Sequence, residues 1–351
     1  MKIAPIDREF RKRGIETLLV HTGQHYDKNM SDVFFKDLNM KSPDVHLNVG
    51  SGTHAIQTAR IMIEFERVCN EHDFAMVVVV GDVNSTIACT LVANKLGILV
   101  THVEAGLRSF DRKMPEEINR ILTDSISDLL LTPSLDGNEN LRNEGVAESR
   151  IEFVGNIMID SLYDALERVK STNCNPANEF AIDRYCVVTL HRPSNVDVEE
   201  KVIQLVENLI ETSRKIPIIF PMHPRTRNNL KKFEKLNVLE KESSIHILDP
   251  LGYLEFVSLV GESSLVITDS GGLQEETTSL GIPCLTLREN TERPITITEG
   301  TNRLISDLST LQISVDEALQ KQASLKPRKP KFWDGKTAQR IVDAIIGCIE
   351  R

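Results

Sequence analysis

Asp82, Glu104, Glu116 and His191 stand where acid and base chemistry is commonly done in α/β proteins. Asp82 follows the apolar run 75–80, Glu104 follows 98–103, Glu116 lies beside Pro115 at a helix start, and His191 follows 185–190. Residues at the carboxyl ends of parallel strands line the crevice where ligands bind, and carboxylates and imidazole there can take up or deliver protons. A second constellation is Leu265-Val266-Ile267-Thr268-Asp269-Ser270-Gly271-Gly272-Leu273-Gln274-Glu275-Glu276. It predicts a buried strand, a tight turn and a helix N-terminus, whose free N–H groups hold an anion while Gly271 and Gly272 allow close approach and Ser270 adds a hydroxyl. Glu276, about one turn into that helix, is placed to accept hydrogen bonds from a ribose. Each residue also has an ordinary structural explanation. Helix starts favour Glu116 and Glu117, Asp82 and Ser270 suit N-caps, and a loop histidine such as His191 can simply pack. Three carboxylates converging on one sheet edge are harder to explain in that way.

The elements that must carry these residues alternate along the chain. An amphipathic helix over 2–14 comes first, then strands at 16–21 and 44–49, a helix at 55–70, and the run 75–80, apolar on both faces and therefore expected in the middle of a parallel sheet. Strands at 98–103, 128–132 and 151–154 alternate with helices at 85–96, 116–125 and 135–144, a doubly wound pattern. After a helix over 157–170 the polar stretch 171–178 reads as a linker. A second series follows, with strands at 185–190, 216–220, 245–248, 265–268 and 284–287, and with His223-Pro224-Arg225 and the segment 288–294 at strand exits. Residues 326–331 read as a solvated crossover loop, and a helix over 336–349 is long enough to return to the first domain. The expected domains are 1–170 joined by 336–351, and 180–335.

Composition narrows the function. The 351 residues are 40% hydrophobic and 26% charged, as in an ordinary globular chain long enough for two cores. A formal charge of -10 argues against general nucleic-acid binding while leaving room for a local basic pocket around one phosphorylated small molecule. The six cysteines form no Cys-x-x-Cys pair, and neither a signal peptide nor a run long enough to span a membrane is present, which suits a reduced cytoplasmic compartment.

Several stretches, in one order, carry a resemblance: His21-Thr22-Gly23-Gln24-His25-Tyr26, Gly81-Asp82, His102-Val103-Glu104-Ala105-Gly106-Leu107-Arg108, Pro115-Glu116-Glu117-Ile118-Asn119-Arg120, His191-Arg192, the 268–276 turn and Thr291-Glu292-Arg293-Pro294. The chain resembles the non-hydrolysing UDP-N-acetylglucosamine 2-epimerases along nearly its whole length. The resemblance implies two Rossmann-like doubly wound domains facing a cleft, as in GT-B glycosyltransferases, with the nucleotide on the second domain. It implies reversible conversion of UDP-GlcNAc to UDP-ManNAc for surface polysaccharide, by elimination and re-addition of UDP, with no added cofactor and commonly in homodimers. Functional status carries over to Asp82, Glu104, Glu116 and His191, the carboxylates as acid and base and His191 nearer the diphosphate. Ser270, Gly271 and Gly272 correspond to the phosphate site, Glu276 to the ribose, Arg293 to the diphosphate or cleft, and Phe256 to the uracil pocket. The same chemistry on a UDP-2-acetamido-6-deoxyhexose or a 2,3-diacetamido uronic acid is the alternative, and a UDP-sugar-binding protein without turnover or a GT-B glycosyltransferase is the reading of a different class.

Two departures from the family pattern stand out. The family opens with a strand and a Gly-Thr-Arg-Pro turn, whereas this chain begins at the following segment with Lys2 as a ligand candidate. A chain beginning at Met1 is therefore expected to fold poorly or lack activity, because a first doubly wound strand is central and its turn approaches phosphate. The position where the family can offer a glutamine near the base aligns with Leu251, leaving uracil recognition to backbone groups and Phe256.

Overall fold

The computed structural model describes residues 1–23, 38, 40–170, 172, 174–321 and 330–351. Gln24, His25 and Tyr26 of the first motif, and residues 326–329 of the expected crossover loop, lie outside them. The chain separates into two compact units, Met1–Ser161 with Lys331–Arg351, and Leu162–Pro330. The division falls inside the Ile157–Val169 helix, ahead of the polar stretch where a linker is expected.

The first unit contains β1 (Val20–His21), β2 (Val45–His46), β3 (Met76–Val80), β4 (Leu99–Val103), β5 (Leu129–Thr132) and β6 (Ile151–Phe153). The last four form a parallel sheet in the order β3-β4-β5-β6, while β1 pairs only with β2. Side-chain alternation sends Val103, Leu129 and Leu131 to one face, where Ile6 and Phe10 of the Ile3–Lys12 helix meet Ile341 and Ile345 of the Thr337–Ile349 helix. Val79 and Val100 face the other way, onto Ile61, Phe65, Ala88 and Val92.

Two expectations are corrected here. The strand expected at 16–21 shortens to Val20–His21, because side chains take backbone groups that a ladder would use: the Leu19 N–H donates to the Asp44 carboxylate at 2.6 Å and the Lys41 ammonium to the Thr17 carbonyl at 3.1 Å. The run ending at Val80, expected mid-sheet, is among the described residues an edge of its four-stranded sheet. Val20 and Leu47 share an apolar cluster with Val77 and Val79, yet among the described residues no ladder joins β1 to β3. Apolar burial needs contact only, whereas pairing also needs backbones at hydrogen-bonding distance.

The second unit contains β7 (Cys186–Thr189), β8 (Ile218–Pro221), β9 (Ile245–Leu248), β10 (Leu265–Thr268), β11 (Cys284–Thr286) and β12 (Asn302–Leu304), all parallel in the order β12-β11-β10-β7-β8-β9. The order reverses between β7 and β10, which makes their exits a topological switch point, the place where open α/β sheets bind ligands. Both faces are covered: Val188, Leu265 and Ile267 point into one apolar cluster, Val187 and Val266 into another. The short β12 is absent from the expected elements because its leading Asn302 is a poor strand former. Its amide is satisfied internally, by Gln274 Oε1 at 3.0 Å and the Thr296 hydroxyl at 3.1 Å, while its carbonyl oxygen accepts from the Thr286 hydroxyl at 2.6 Å. Among the described residues no helix is long and apolar enough to cross a membrane.

Candidate active site

In the first unit the register of β3 against β4 aligns Val80 with Val103, so the loops carrying Asp82 and Glu104 leave the sheet side by side. Glu104 is 5% exposed and its φ of 71° puts a non-glycine residue in the left-handed region, a strain that tends to be kept where function needs the side chain. Its Oε2 accepts from the Lys2 ammonium, and its Oε1 has no hydrogen-bond partner among the described residues. Gly81 closes on the same point, since a Cβ there would lie 3.4 Å from Lys2 Nζ and 3.7 Å from Glu104 Oε2. Glu116 is half-buried in the first turn of the Pro115–Ile126 helix, where proline at the start and two acidic residues suit the helix dipole.

Side chains that the sequence reading left without a role hold these groups. Arg120 Nε donates to Asp82 Oδ2 at 3.0 Å, and Asn119 donates to the Asp82 carbonyl at 2.9 Å. Glu117 accepts from the Ser109 N–H at 2.9 Å, the Phe110 N–H at 2.8 Å and Arg120, tying the loop beyond Glu104 to the helix. Buried His102 faces Asp124 Oδ1 through Nδ1 at 2.6 Å and the Gly81 carbonyl through Nε2 at 2.8 Å. Asp124 also receives the Gly106 N–H at 3.0 Å and Arg108 Nη1 at 2.8 Å. Burial pushes its carboxyl up, but His102 and Arg108 outweigh this and hold it below the usual carboxylate range. The sequence signal of this network was the His102–Arg108 stretch, which supplies His102, Gly106 and Arg108 but not their shared partner Asp124.

Gly106 marks how tightly the loop is built. Its φ is +80° and an added Cβ would sit 2.4 Å from the Gly137 carbonyl oxygen. Gly106→Ala is expected to cost roughly 2–5 kcal/mol from the left-handed backbone and the overpacking together. Thermal melting that leaves Tm unchanged would contradict this geometry.

In the second unit β10 passes into the Gly271–Leu280 helix, and the Ser270 side chain makes no capping hydrogen bond, so its hydroxyl is not committed to the helix end. A Cβ on Gly271 would lie 2.8 Å from Glu292 Oε1 and 2.9 Å from Arg293 Nη1. Arg293 is anchored there, its Nε 2.9 Å from Glu275 and its Nη1 on Glu292. Gly272 lies in the same first helical turn. Across the switch point, Asp269 accepts from the backbone N–H groups of His191 and Arg192 at 3.0 and 2.9 Å and from Asn195 at 3.1 Å. It also meets His191 Nδ1 at 2.9 Å. Burial raises the Asp269 carboxyl, yet these bonds, led by His191, hold it down, and an ionised partner fixes the proton on Nδ1 while Nε2 is left for other contacts.

Further along the helix Glu276 is 5% exposed and accepts from the Tyr253 hydroxyl at 3.3 Å. Burial lifts its carboxyl to about 7, with Glu275 adding and the Tyr253 bond subtracting. Phe256 is half-buried on the Tyr253–Gly261 helix, together with Leu251 against the cluster containing Val187 and Leu273. In the first unit the structure thus brings Lys2 and Glu104 together beside Gly81, the residue before Asp82, with Glu116 on the helix that grips Asp82. It gathers His191, Ser270, Gly271, Gly272 and Arg293 around the switch point of the second, with Glu276 and Phe256 on the adjoining helices. Asp269, Tyr253, Glu275 and Glu292 are the members of that second group with no assigned role in the sequence reading.

The chain is similar to known proteins along nearly its whole length. The family model described as UDP-N-acetylglucosamine 2-epimerase matches residues 8–346. The UDP-N-acetylglucosamine 2-epimerase of Methanocaldococcus jannaschii is 44% identical over 97% of this chain and 94% of its own length. A Pseudomonas aeruginosa relative, UDP-2,3-diacetamido-2,3-dideoxy-D-glucuronate 2-epimerase, is 41% identical over 94% of this chain and 91% of its own length. The crystal structure of the M. jannaschii enzyme in complex with UDP-GlcNAc and UDP superposes with a TM-score of 0.90 at 43% identity, covering 99% of this chain and 96% of that one. A Rickettsia africae glycosyltransferase, 12% identical with a TM-score of 0.58 and covering 99% of this chain and 89% of that one, shares the fold alone. The match of the family model over nearly the whole chain, with relatives 41–44% identical along almost their full length, shows that the chain belongs to the UDP-N-acetylglucosamine 2-epimerase family.

Proposed function

We propose that this chain interconverts UDP-GlcNAc and UDP-ManNAc by eliminating and re-adding UDP, as a precursor step for surface polysaccharide, and works as a cytoplasmic homodimer without an added cofactor. The observation that carries the reading is that neighbouring strand exits present Lys2 on Glu104 beside Gly81 and Asp82 on the helix bearing Glu116, within a chain of this family. The C2 hydrogen of the sugar has no adjacent carbonyl, so direct deprotonation is very slow. Elimination avoids this: a base removes the C2 proton while the bond from C1 to the bridging oxygen breaks, leaving a 2-acetamidoglucal. UDP then adds back to C1 as a proton is delivered to the other face of C2. Asp82, Glu104 and Glu116 supply the acid and base, Lys2, paired with Glu104, is a ligand of the substrate, and His191 stands by the diphosphate. In the second unit Ser270, Gly271, Gly272 and Arg293 hold the diphosphate, Glu276 the ribose hydroxyls, and Phe256 the uracil.

Turnover of UDP-GlcNAc in D2O tests the route. We expect UDP-ManNAc carrying deuterium at C2, without added NAD. Product lacking the C2 label, or turnover that depends on NAD, would overturn elimination. A second reading, the same chemistry on a 2,3-diacetamido uronate, rests on the relative of that specificity at 41% identity. The ratio of kcat/KM values for the two nucleotide sugars decides between them.

A further inference from the structure

Epimerisation needs proton-transfer groups held in fixed relation to one carbon, and the loop that carries Asp82 does not fix that side chain by itself. Asp82 follows Gly81, whose φ is +78°, and its side chain is 30% exposed. The holding groups come from the Pro115–Ile126 helix. Arg120 Nε donates to the Asp82 carboxylate at 3.0 Å and Asn119 donates to the Asp82 carbonyl at 2.9 Å. Arg120 is only 2% exposed, and its second contact is to Glu117, which is 1% exposed and is itself pinned by the backbone N–H groups of Ser109 and Phe110. A buried guanidinium between two carboxylates is poor value for stability, because its desolvation is costly and packed apolar side chains serve the core as well. Glu116 lies four residues before Arg120, so both project from the same face of one helix. The helix that presents Glu116 therefore also grips Asp82 at both its carboxylate and its backbone.

We propose that Arg120 is the positioning residue that aims Asp82 in register with Glu116, Glu117 fixing the guanidinium from behind. Arg120 acts through Asp82 and has no task of its own toward the substrate. The proposal rests on the acid/base reading of Asp82, and it can fail while that reading stands.

A double-mutant cycle tests it, with Asp82→Asn, Arg120→Met, Arg120→Lys and the Asp82→Asn/Arg120→Met pair assayed for kcat, KM and UDP binding. Arg120→Met is expected to lower kcat by roughly 10²-fold, with KM and UDP affinity changed by less than about threefold. Arg120→Lys should recover part of the loss by restoring charge without the fork. In the Asp82→Asn background, removing Arg120 should slow turnover no further, since a residue acting only through Asp82 has nothing left to position. Full multiplication of the two losses, or loss of UDP binding in Arg120→Met, overturns the proposal and leaves Arg120 with a structural role. Should Arg120→Met fail to melt cooperatively, the cycle is closed with Arg120→Lys, whose loss of kcat must vanish in the Asp82→Asn background. Asp82→Asn turning over as fast as the unsubstituted protein would overturn the acid/base reading of Asp82, and the positioning role with it.

Discussion

Glu104→Gln is expected to lower kcat by ~10² or more while UDP still binds, because an amide can neither take up nor deliver a proton as a carboxylate does. The geometry makes this substitution a sharp one. Glu and Gln are nearly isosteric, and Glu104 is 5% exposed with its backbone at φ 71°. The ion pair to Lys2 is lost. The Gln carbonyl can still accept from the ammonium, so the fold should survive with Tm lowered by no more than a few degrees. Steady-state kinetics and calorimetry with UDP together decide the matter. If Glu104→Gln turns over normally, the residue is no acid or base, and if it loses UDP affinity with the fold intact, it belongs to recognition.

The second large effect concerns pH and the nucleotide. Burial pushes the Glu276 carboxyl up to about 7 in the folded protein, against 4.5 for a free glutamate side chain. Between those values the folded chain keeps a proton that the unfolded chain has released. Stability from this group is therefore full below 4.5 and is lost as pH rises through 7, by roughly 3 kcal/mol in all. Ribose hydroxyls donating to Glu276 would favour its ionised form, so nucleotide binding should release a proton near neutral pH. Affinity should then fall by up to about tenfold per pH unit below 7. The slow Glu104→Gln variant allows UDP-GlcNAc to serve as the ligand, which avoids the phosphate ionisation of free UDP. Calorimetry in buffers of different ionisation enthalpy should show proton release that disappears when Glu276→Gln is added. Binding with no proton release, or release unchanged by Glu276→Gln, would remove Glu276 from the ribose site.

Local pattern and chemistry were legible in the amino-acid sequence because both are short-range. Apolar runs such as Leu265–Thr268 became buried strands of the second sheet, and the glycine turn after it became a helix start with an uncommitted serine hydroxyl. Pro115 opened its helix with Glu116 and Glu117 in the first turn, as the dipole favours. The order of such stretches also identified the family. What the sequence left open was which residue meets which across long separations. It gave a function to Glu116 and none to Glu117, Asn119 and Arg120 of the same motif, whose contacts appear only when the helix lies against the Asp82 loop. It offered Lys2 as a ligand but gave no sign that Lys2 meets Glu104, a residue 102 positions away. The pairing of β1 with β2 apart from β3 was likewise invisible, because Met76–Val80 reads as a central strand by its apolar faces alone. Periodicity reports how much of a segment is buried, and a half-buried edge beside an apolar cluster carries the same signal as a strand hydrogen-bonded on both sides. Ion pairing and sheet order depend on packing between segments far apart in the chain, and only the tertiary structure decides them.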